Sequence, residues 1–226
     1  PSEKAVLSSR VVDRSIRPLF PSDMRNDVSV VMTVLSVDPD FSPEVCGIVG
    51  TSFALSISDI PWAGPIAGIS VGLVDGQLIL NPNHEQRQKS DLNLTVCGTA
   101  EKVCMLECGA NEVDNDTMME AIIKGHQEVQ KMCRFIAEVQ AEIGKKKFSF
   151  ESMEIDHDMF EAIKDYAIDR VKFALDTDDK NVREERLRPI VEEIHAHFDN
   201  VYPDQEPQID ECIYKLQKFV VRRWLL

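Results

Sequence analysis

Three arginines in the stretch Ser9-Arg10-Val11-Val12-Asp13-Arg14-Ser15-Ile16-Arg17-Pro18 carry the first chemical signal. On a helix, Arg10, Arg14 and Arg17 stand at i, i+4 and i+7 and project from one side. Val11, Val12 and Ile16 fall elsewhere and can be buried. Pro18 ends the helix, because the residue before a proline is pushed out of the helical region. A guanidinium is a planar fork of donors that keeps its charge, so three in a row suit a run of phosphates. The same spacing allows a solvated face in which Asp13 pairs with Arg17 four residues on, and spacing alone favours that simpler reading.

Other chemistry-bearing groups give weaker signals. His195 and His197 form an HxH on an expected helix, where residues two apart face different ways, so a surface pair is expected rather than a metal site. Asp176, Asp178 and Asp179 lack the glycine and closing glutamate of a calcium loop and read as a solvated helix start. Cys104 and Cys108 alternate onto one face of a strand and are expected in the core. His126 lies on an apolar helical stripe and reads as a satisfied core residue. Asp91 is a single carboxylate without the partner that acid–base work needs. The glycines at 47 and 50 are not followed by the Gly-Lys-Ser/Thr ending of a phosphate-cradling loop.

The chain has 226 residues, 39 acidic and 25 basic, for a formal net charge of −14. That balance argues against nucleic-acid binding unless positive charge is local, as it is around Arg10, Arg14 and Arg17. The six cysteines lie in apolar stretches without CxxC pairing, so free, buried thiols in a reducing cytosol are expected. No stretch approaches the ~18 apolar residues of a membrane span, and no signal peptide is evident. The chain starts at Pro1 and stops at Trp224-Leu225-Leu226, and both ends read as cuts in a longer protein.

The elements that must position these residues follow from periodicity. Residues 27–37 are rich in Val, Met and Leu and read as a buried strand. Asp38-Pro39-Asp40 is a turn. Ser42 then caps a helix with Pro43 at its first position, running to about Ser58, with Gly47, Gly50 and Ala54 along one side for close packing. Ile69, Val71 and Leu73 alternate, Asp75-Gly76 makes a two-residue hairpin turn, and residues 77–80 return. Leu92, Leu94 and Val96 alternate again, as do Val103 and Met105, for at least five strands in all. From Asn115 a long helix carries Met119, Ile122, His126, Val129, Cys133, Ile136 and Ile143 on one stripe. Gly144 fits its C-cap, and Lys145, Lys146 and Lys147 suit its negative end. Composition shifts after Lys147. Three helices are expected over 158–175, 180–198 and 208–224, with Glu206-Pro207 among the breakers between the last two.

Arg10 to Pro21 resembles the signature helix of the first ribonuclease-PH-type repeat of the polynucleotide phosphorylase family. The similarity runs on through Val34-Leu35-Ser36-Val37-Asp38, Ala54-Leu55-Ser56-Ile57-Ser58-Asp59-Ile60-Pro61, Gly64-Pro65-Ile66, Leu80-Asn81-Pro82 and Gly98-Thr99. A dozen ordered matches are far more specific than any one short motif. The resemblance implies an α+β fold. A partial ribonuclease-PH-like βαβα domain (ribosomal protein S5 domain 2-type) over 1–147 is expected, followed by a small all-helical domain over 148–226. In that family the signature helix follows an arginine-bearing loop at the mouth of an RNA channel, a loop expected just before Pro1.

The resemblance also implies what this piece does. Family members shorten RNA from its 3′ end with inorganic phosphate, release nucleoside diphosphates in mRNA turnover, and can run in reverse. Their active second repeat supplies a serine run for phosphate and two aspartates and a lysine for magnesium and the reacting group. At the matching places this chain has Pro39-Asp40-Phe41, Arg87, Asn93 and Thr95. No catalytic or metal-binding residue is therefore expected here, and Mg2+ and phosphate would be held by the second repeat, outside this segment. Arg10, Arg14 and Arg17 are the RNA-binding candidates, with interface ion pairs as their other reading. Single-stranded RNA 3′ ends, a homotrimer, an RNA-degradation assembly and a cytoplasmic location, away from membranes, are the expected context. The alternative is a non-catalytic ring subunit or RNA-binding module of an exosome-type assembly.

Overall fold

A computed structural model describes residues 2–152 and 154–226. The chain divides into two compact units, one running through Glu151 and the other from Ser152 to Leu226. The expected boundary at 147/148 falls just inside the first unit, because backbone bonds from Lys145 N–H to Ile57 (3.0 Å) and from Phe148 N–H to Asp59 (2.8 Å) tie that stretch to it.

In the first unit, helix α1 (Glu3–Ile16) passes into a 3-10 turn, Arg17–Leu19, where Pro18 ends the helix as expected. Helix α2 (Pro43–Ile57) starts at the Ser42 cap. Strands β1 (Ala67–Val74) and β2 (Gln77–Leu80) form a hairpin, and β3 (Leu92–Gly98) and β4 (Val103–Ala110) follow, with the short helix α3 (His84–Lys89) before β3. The four strands make one antiparallel sheet in the order β2-β1-β3-β4. Asp75 and Gly76 both take positive φ, 50° and 73°, as a tight hairpin turn requires.

Alternation assigns the two sheet faces. Val71, Leu94 and Val96 are fully buried on the face that meets helix α4 (Asn115–Ile143), and Ile69 lies beside them. Cys97 and Met105 are buried on the other face, beneath Val12, Ile16, Ile48 and Leu55 of α1 and α2. The buried indole of Trp62 donates its N–H to the Ile16 carbonyl at 3.1 Å and fixes the end of α1.

Several expectations are corrected. Residues 27–37 form no strand: Val31 is 83% and Leu35 92% exposed. Their β-prone composition is real, but no described strand runs alongside to complete a ladder, and an extended segment without a partner has nothing to pair its backbone. The described residues therefore hold four strands, not five. On α4, Met119 and Ile143 are exposed, while Ala121 and Gly125 sit buried at the contact with the sheet and Met118 and Ile122 pack beside them. Cys46 and Cys108 are exposed, whereas Cys97, Cys133 and Cys212 are buried; all six thiols are free. Gly50 has open space where a side chain would stand, whereas a Cβ on Gly47 would meet Met32 and Val12.

Lys147 does not serve its own helix. Its ammonium donates to the carbonyls of Leu55 (2.8 Å), Ser56 (3.0 Å) and Ser58 (2.7 Å) at the C-terminus of α2. These are the groups that a helix end leaves unpaired, and a cation there also meets the negative end of the dipole. Gly144 ends α4 with an ordinary extended backbone rather than the left-handed cap expected of it.

The second unit packs α5 (His157–Leu175), α6 (Lys180–Phe198) and α7 (Glu206–Leu225) around Met159, Ile163, Val171, Ile194, Phe198, Ile209 and Leu216. Asp179 caps α6, accepting from the N–H groups of Asn181 (2.7 Å) and Val182 (3.3 Å), which is the helix start anticipated for that acidic run. Glu206-Pro207 begins α7 instead of preceding it, because proline is at home in a helix's first turn. His195 bridges Asp199 (3.1 Å) on its own helix and Asp210 (3.0 Å) on α7. Burial lowers its pKa, but hydrogen bonds and charge from both carboxylates outweigh burial and raise it above the ordinary value.

Lys147→Met is expected to lower the stability of the first unit by about 1–2 kcal/mol, measured by urea unfolding, because three buried-side carbonyls lose a charged donor. The raised pKa of His195 sets a second expectation. Its contribution is complete below the unfolded value near ~6.5 and is lost as pH rises through the higher folded value. The stability difference between wild type and His195→Gln should therefore shrink from pH 5.5 to pH 8.5.

Candidate functional site

A cavity of about 610 Å³ opens on the sheet face that α1 and α2 leave uncovered. Ser70 of β1, Asn93 and Thr95 of β3 and Glu107 of β4 form its floor. Lys4 and Ser8 of α1, Glu44 of α2, Pro39 and Phe41 of the loop before α2, and His84 and Arg87 of α3 form its walls. The residues matched to phosphate and metal positions in the sequence, Pro39, Phe41, Arg87, Asn93 and Thr95, are thus brought to one place from three separate parts of the chain.

Local chemistry explains the positions. Asn93 and Thr95 alternate with the buried Leu92, Leu94 and Val96, so they point away from α4. The capping box of Asn83 and Gln86 starts α3, with bonds of 2.9 Å in both directions. Asp40 accepts the His84 backbone N–H at 3.0 Å and holds the loop to that helix. Arg87 turns its guanidinium onto the carbonyls of Pro39, Pro82 (2.5 Å) and Asp40 (3.2 Å).

The donor set does not fit magnesium or phosphate. Magnesium asks for carboxylate oxygens, and Asn93 and Thr95 offer an amide and a hydroxyl. Glu107 faces the Arg14 guanidinium as an ion pair. Glu44 accepts from Ser8 (2.7 Å) and Ser42 (2.8 Å). Burial raises its pKa, but those hydroxyls outweigh it and hold the carboxyl below its ordinary range. Arg87 is occupied by carbonyls. Among the described residues no group of three or more His, Cys, Asp or Glu is arranged to hold a metal ion.

The arginine helix has a divided fate. Arg17 donates to both oxygens of Asp13 at 3.0 and 2.7 Å, the i,i+4 pair that spacing allowed. Arg14 pairs with Glu107 and donates to the Leu106 carbonyl at 3.2 Å. Arg10 has no ion-pair partner among the described residues. Arg10 and Arg17 line a second cavity, also about 610 Å³, between α1 and residues 20–32. Sequence reasoning missed the Arg14–Glu107 pair, since 93 residues separate the partners and no local pattern joins them.

The lesser candidates resolve simply. His126 bonds the Thr99 carbonyl at 3.0 Å, as a satisfied histidine should. His197 stacks on Tyr166 at 4.5 Å between ring centroids while His195 faces α7, so the two point different ways. Cys104 packs beside Cys97, with sulfurs 3.9 Å apart, and Cys108 lies exposed. Asp91 accepts from the Asn111 amide at 3.4 Å.

Comparison with known proteins matches three stretches of the chain. Residues 1–61 match the 3′ exoribonuclease family, domain 1, and residues 64–128 match domain 2 of that family. Residues 158–226 match the polyribonucleotide nucleotidyltransferase RNA binding domain. The chain is 50% identical over 226 residues to the polyribonucleotide nucleotidyltransferase of Ruminiclostridium cellulolyticum, covering 100% of this chain and 32% of that protein. It is 47% identical over 226 residues to the enzyme of the same name from Lachnoclostridium phytofermentans, again covering 100% and 32%. The chain therefore spans about a third of the length of these relatives. In fold it is similar to rice (Oryza sativa) Rrp46, with a TM-score of 0.50 at 14% identity over 62% of this chain and 68% of that one.

Arg87→Met should lower stability by about 1–2 kcal/mol, because three carbonyls lose a charged donor. Limited proteolysis should then cut the wall at residues 38–41 faster than in wild type.

Proposed function

Since this chain belongs to the 3′ exoribonuclease family, as a segment related throughout to polyribonucleotide nucleotidyltransferase, we propose that it is the non-catalytic scaffold and RNA-guiding portion of a phosphate-dependent 3′-to-5′ exoribonuclease. The whole protein degrades RNA to nucleoside diphosphates in mRNA turnover. It does so as a cytoplasmic homotrimer, with Mg2+ and phosphate bound outside this segment. One observation carries the non-catalytic reading: the cavity at the matched positions holds an amide, a hydroxyl and an arginine already bonded to carbonyls. Phosphoryl transfer needs fixed positive charge on the transferring group; of the lysine and arginine that line this cavity among the described residues, Arg87 is bonded to carbonyls and only Lys4 has no ion pair or hydrogen bond from its side chain.

Arg10, Arg14 and Arg17 guide RNA on this reading. The exposed ion pairs of Arg14 and Arg17 are of the kind worth ~1 kcal/mol or less, so an incoming phosphate can replace a carboxylate partner without disturbing the fold.

The test has two arms. Incubated with RNA, Mg2+ and phosphate, the 226-residue chain should release no nucleoside diphosphates above background; magnesium-dependent release would overturn the non-catalytic assignment. In the full-length protein, Arg10→Glu, Arg14→Glu and Arg17→Glu together should weaken binding to long RNA and flatten its salt dependence. An unchanged salt slope would leave the three arginines a purely structural part.

A further inference from the structure

Among the described strands the pairing slips once, between β3 and β4. Cys97 stands opposite Met105 and Gly98 opposite Val103, so Cys104 is an extra residue on β4, a bulge. Along a regular strand, neighbours point to opposite faces, and Met105 takes the face that meets α1 and α2. The bulge cancels that alternation for one residue. Cys104 therefore shares a face with Met105 and Cys97 and packs against their cluster, and its sulfur lies 3.9 Å from that of Cys97.

The two thiols differ in surroundings. Cys97 is fully buried in the cluster of Val12, Ile16 and Trp62. Cys104 is half-buried at the end of α1, its sulfur 3.8 Å from the Ser15 carbonyl and 3.5 Å from that of Cys97. A small molecule in solvent thus meets Cys104 and not Cys97. A hydrogen bond from the Cys97 thiol holds Cys104 below the ordinary thiol range against burial, while the same contact and burial push Cys97 up. The thiolate is the reactive form of cysteine, so both access and charge favour Cys104 as the attacking sulfur.

The other thiols of this unit are placed differently. Cys133 of α4 is buried, with its sulfur 3.6 Å from the Gly98 carbonyl and 3.7 Å from that of Pro65, and burial pushes it up to about 11. Cys46 and Cys108 are exposed, and neither hydrogen-bonds a second sulfur among the described residues. Core packing accounts for Cys97, since a buried thiol behaves as a small apolar group. It does not account for a second thiol that a bulge turns onto the first and leaves half open to solvent.

We propose that Cys104 and Cys97 are a peroxide-reactive pair, with Cys104 taking the oxidant and Cys97 closing a reversible disulfide. The substrate class is a hydroperoxide, with hydrogen peroxide the simplest member. The Cys104 thiolate attacks one peroxide oxygen; an S–O bond forms, the O–O bond breaks, and the departing hydroxide takes up the thiol's proton as water. The Cys97 sulfur then attacks the sulfenic sulfur; the S–S bond forms, the S–O bond breaks, and hydroxide leaves with the Cys97 proton as a second water. Two thiols lose two electrons and one peroxide gains them. An added dithiol reverses the bond. Closure brings the sulfurs from 3.9 Å to about 2.0 Å, a change within reach of one side-chain rotation. The proposal stands independently of the RNA-guiding reading.

The experiment is disulfide mapping of the 226-residue chain after hydrogen peroxide, with free thiols blocked by N-ethylmaleimide under denaturing conditions and trypsin digestion without reductant. Lys102 lies between the two cysteines, so trypsin separates them unless a disulfide joins their peptides. The expected product is the joined pair, about 2 Da lighter than the sum of its parts and lost on adding dithiothreitol. Cys97→Ala should abolish the joined pair and leave a sulfenic acid on Cys104 that dimedone traps. Cys104→Ala should abolish the joined pair and leave residue 97 as a free thiol. Cys108→Ser, which removes the second cysteine of the same tryptic peptide, should change nothing. The wild-type map decides the question even where a variant fails to fold. Peroxide that oxidises Cys46 or Cys108 while Cys97 and Cys104 both carry maleimide overturns the proposal. So does a joined pair that disappears in Cys108→Ser, and a wild-type sulfenic acid on Cys104 beside a free Cys97 overturns the role given to Cys97.

Discussion

Close backbone approach on both sides of one sheet governs the first unit. A Cβ built on Gly68 of β1 would lie 2.9 Å from Ile48 of α2, and one on Gly125 of α4 would lie 2.9 Å from Val96 and 3.1 Å from Val71. Neither helix could sit where it does with a larger residue at these two positions, because packed interiors transmit a displaced methyl into displaced backbone. With α2 pressed onto β1 at one end, α1 follows it through Val12 and Ile16, and the rest of that sheet face stays uncovered. That uncovered part is the floor of the cavity. The position of Asn93 and Thr95 is thus a by-product of where two glycines let helices close.

Much of this was legible beforehand, and the failures have a common cause. The Ser42 cap with Pro43, the Asp75-Gly76 turn and the Asp179 cap are each decided within four residues, and each stands as read. The span 180–198 of α6 was also evident, since periodicity and a cap are both local. What failed depended on partners distant in sequence. Residues 27–37 have the composition of a strand, but strand formation is settled by a neighbour to bond with, and no described strand provides it. Lys147 has the right type for a helix C-terminus, but the end it serves is that of α2, some 90 residues earlier. The site divided in the same way. Alternation put Asn93 and Thr95 on a common face, while only the three-dimensional structure brought Arg87 and Phe41 to them.

Net charge misleads when read as a uniform property. A formal −14 over 226 residues would disfavour a polyanion as partner if spread evenly. It is not. At α1 the positive groups are partly neutralised by Asp13 and Glu107, so their field is weak beyond contact distance. Screening over about 8–10 Å at moderate salt then separates such a patch from acidic surface elsewhere. A partner of like net charge can therefore be met locally by a chain whose average sign is wrong for it.

The walls of the cavity satisfy many of their own polar groups. Arg87 ties three carbonyls across residues 39–40 and 82, and Asp40 holds the first N–H of α3. Ser90 bridges β1 and the start of β3 through Leu73 and Leu92, and Glu44 gathers the hydroxyls of Ser8 and Ser42. An unmet donor or acceptor among these groups would be costly wherever water is partly excluded. Arg87, Asp40 and Glu44 are thus spent on the protein's own groups, and a guanidinium that closes the wall is not free to meet a phosphate.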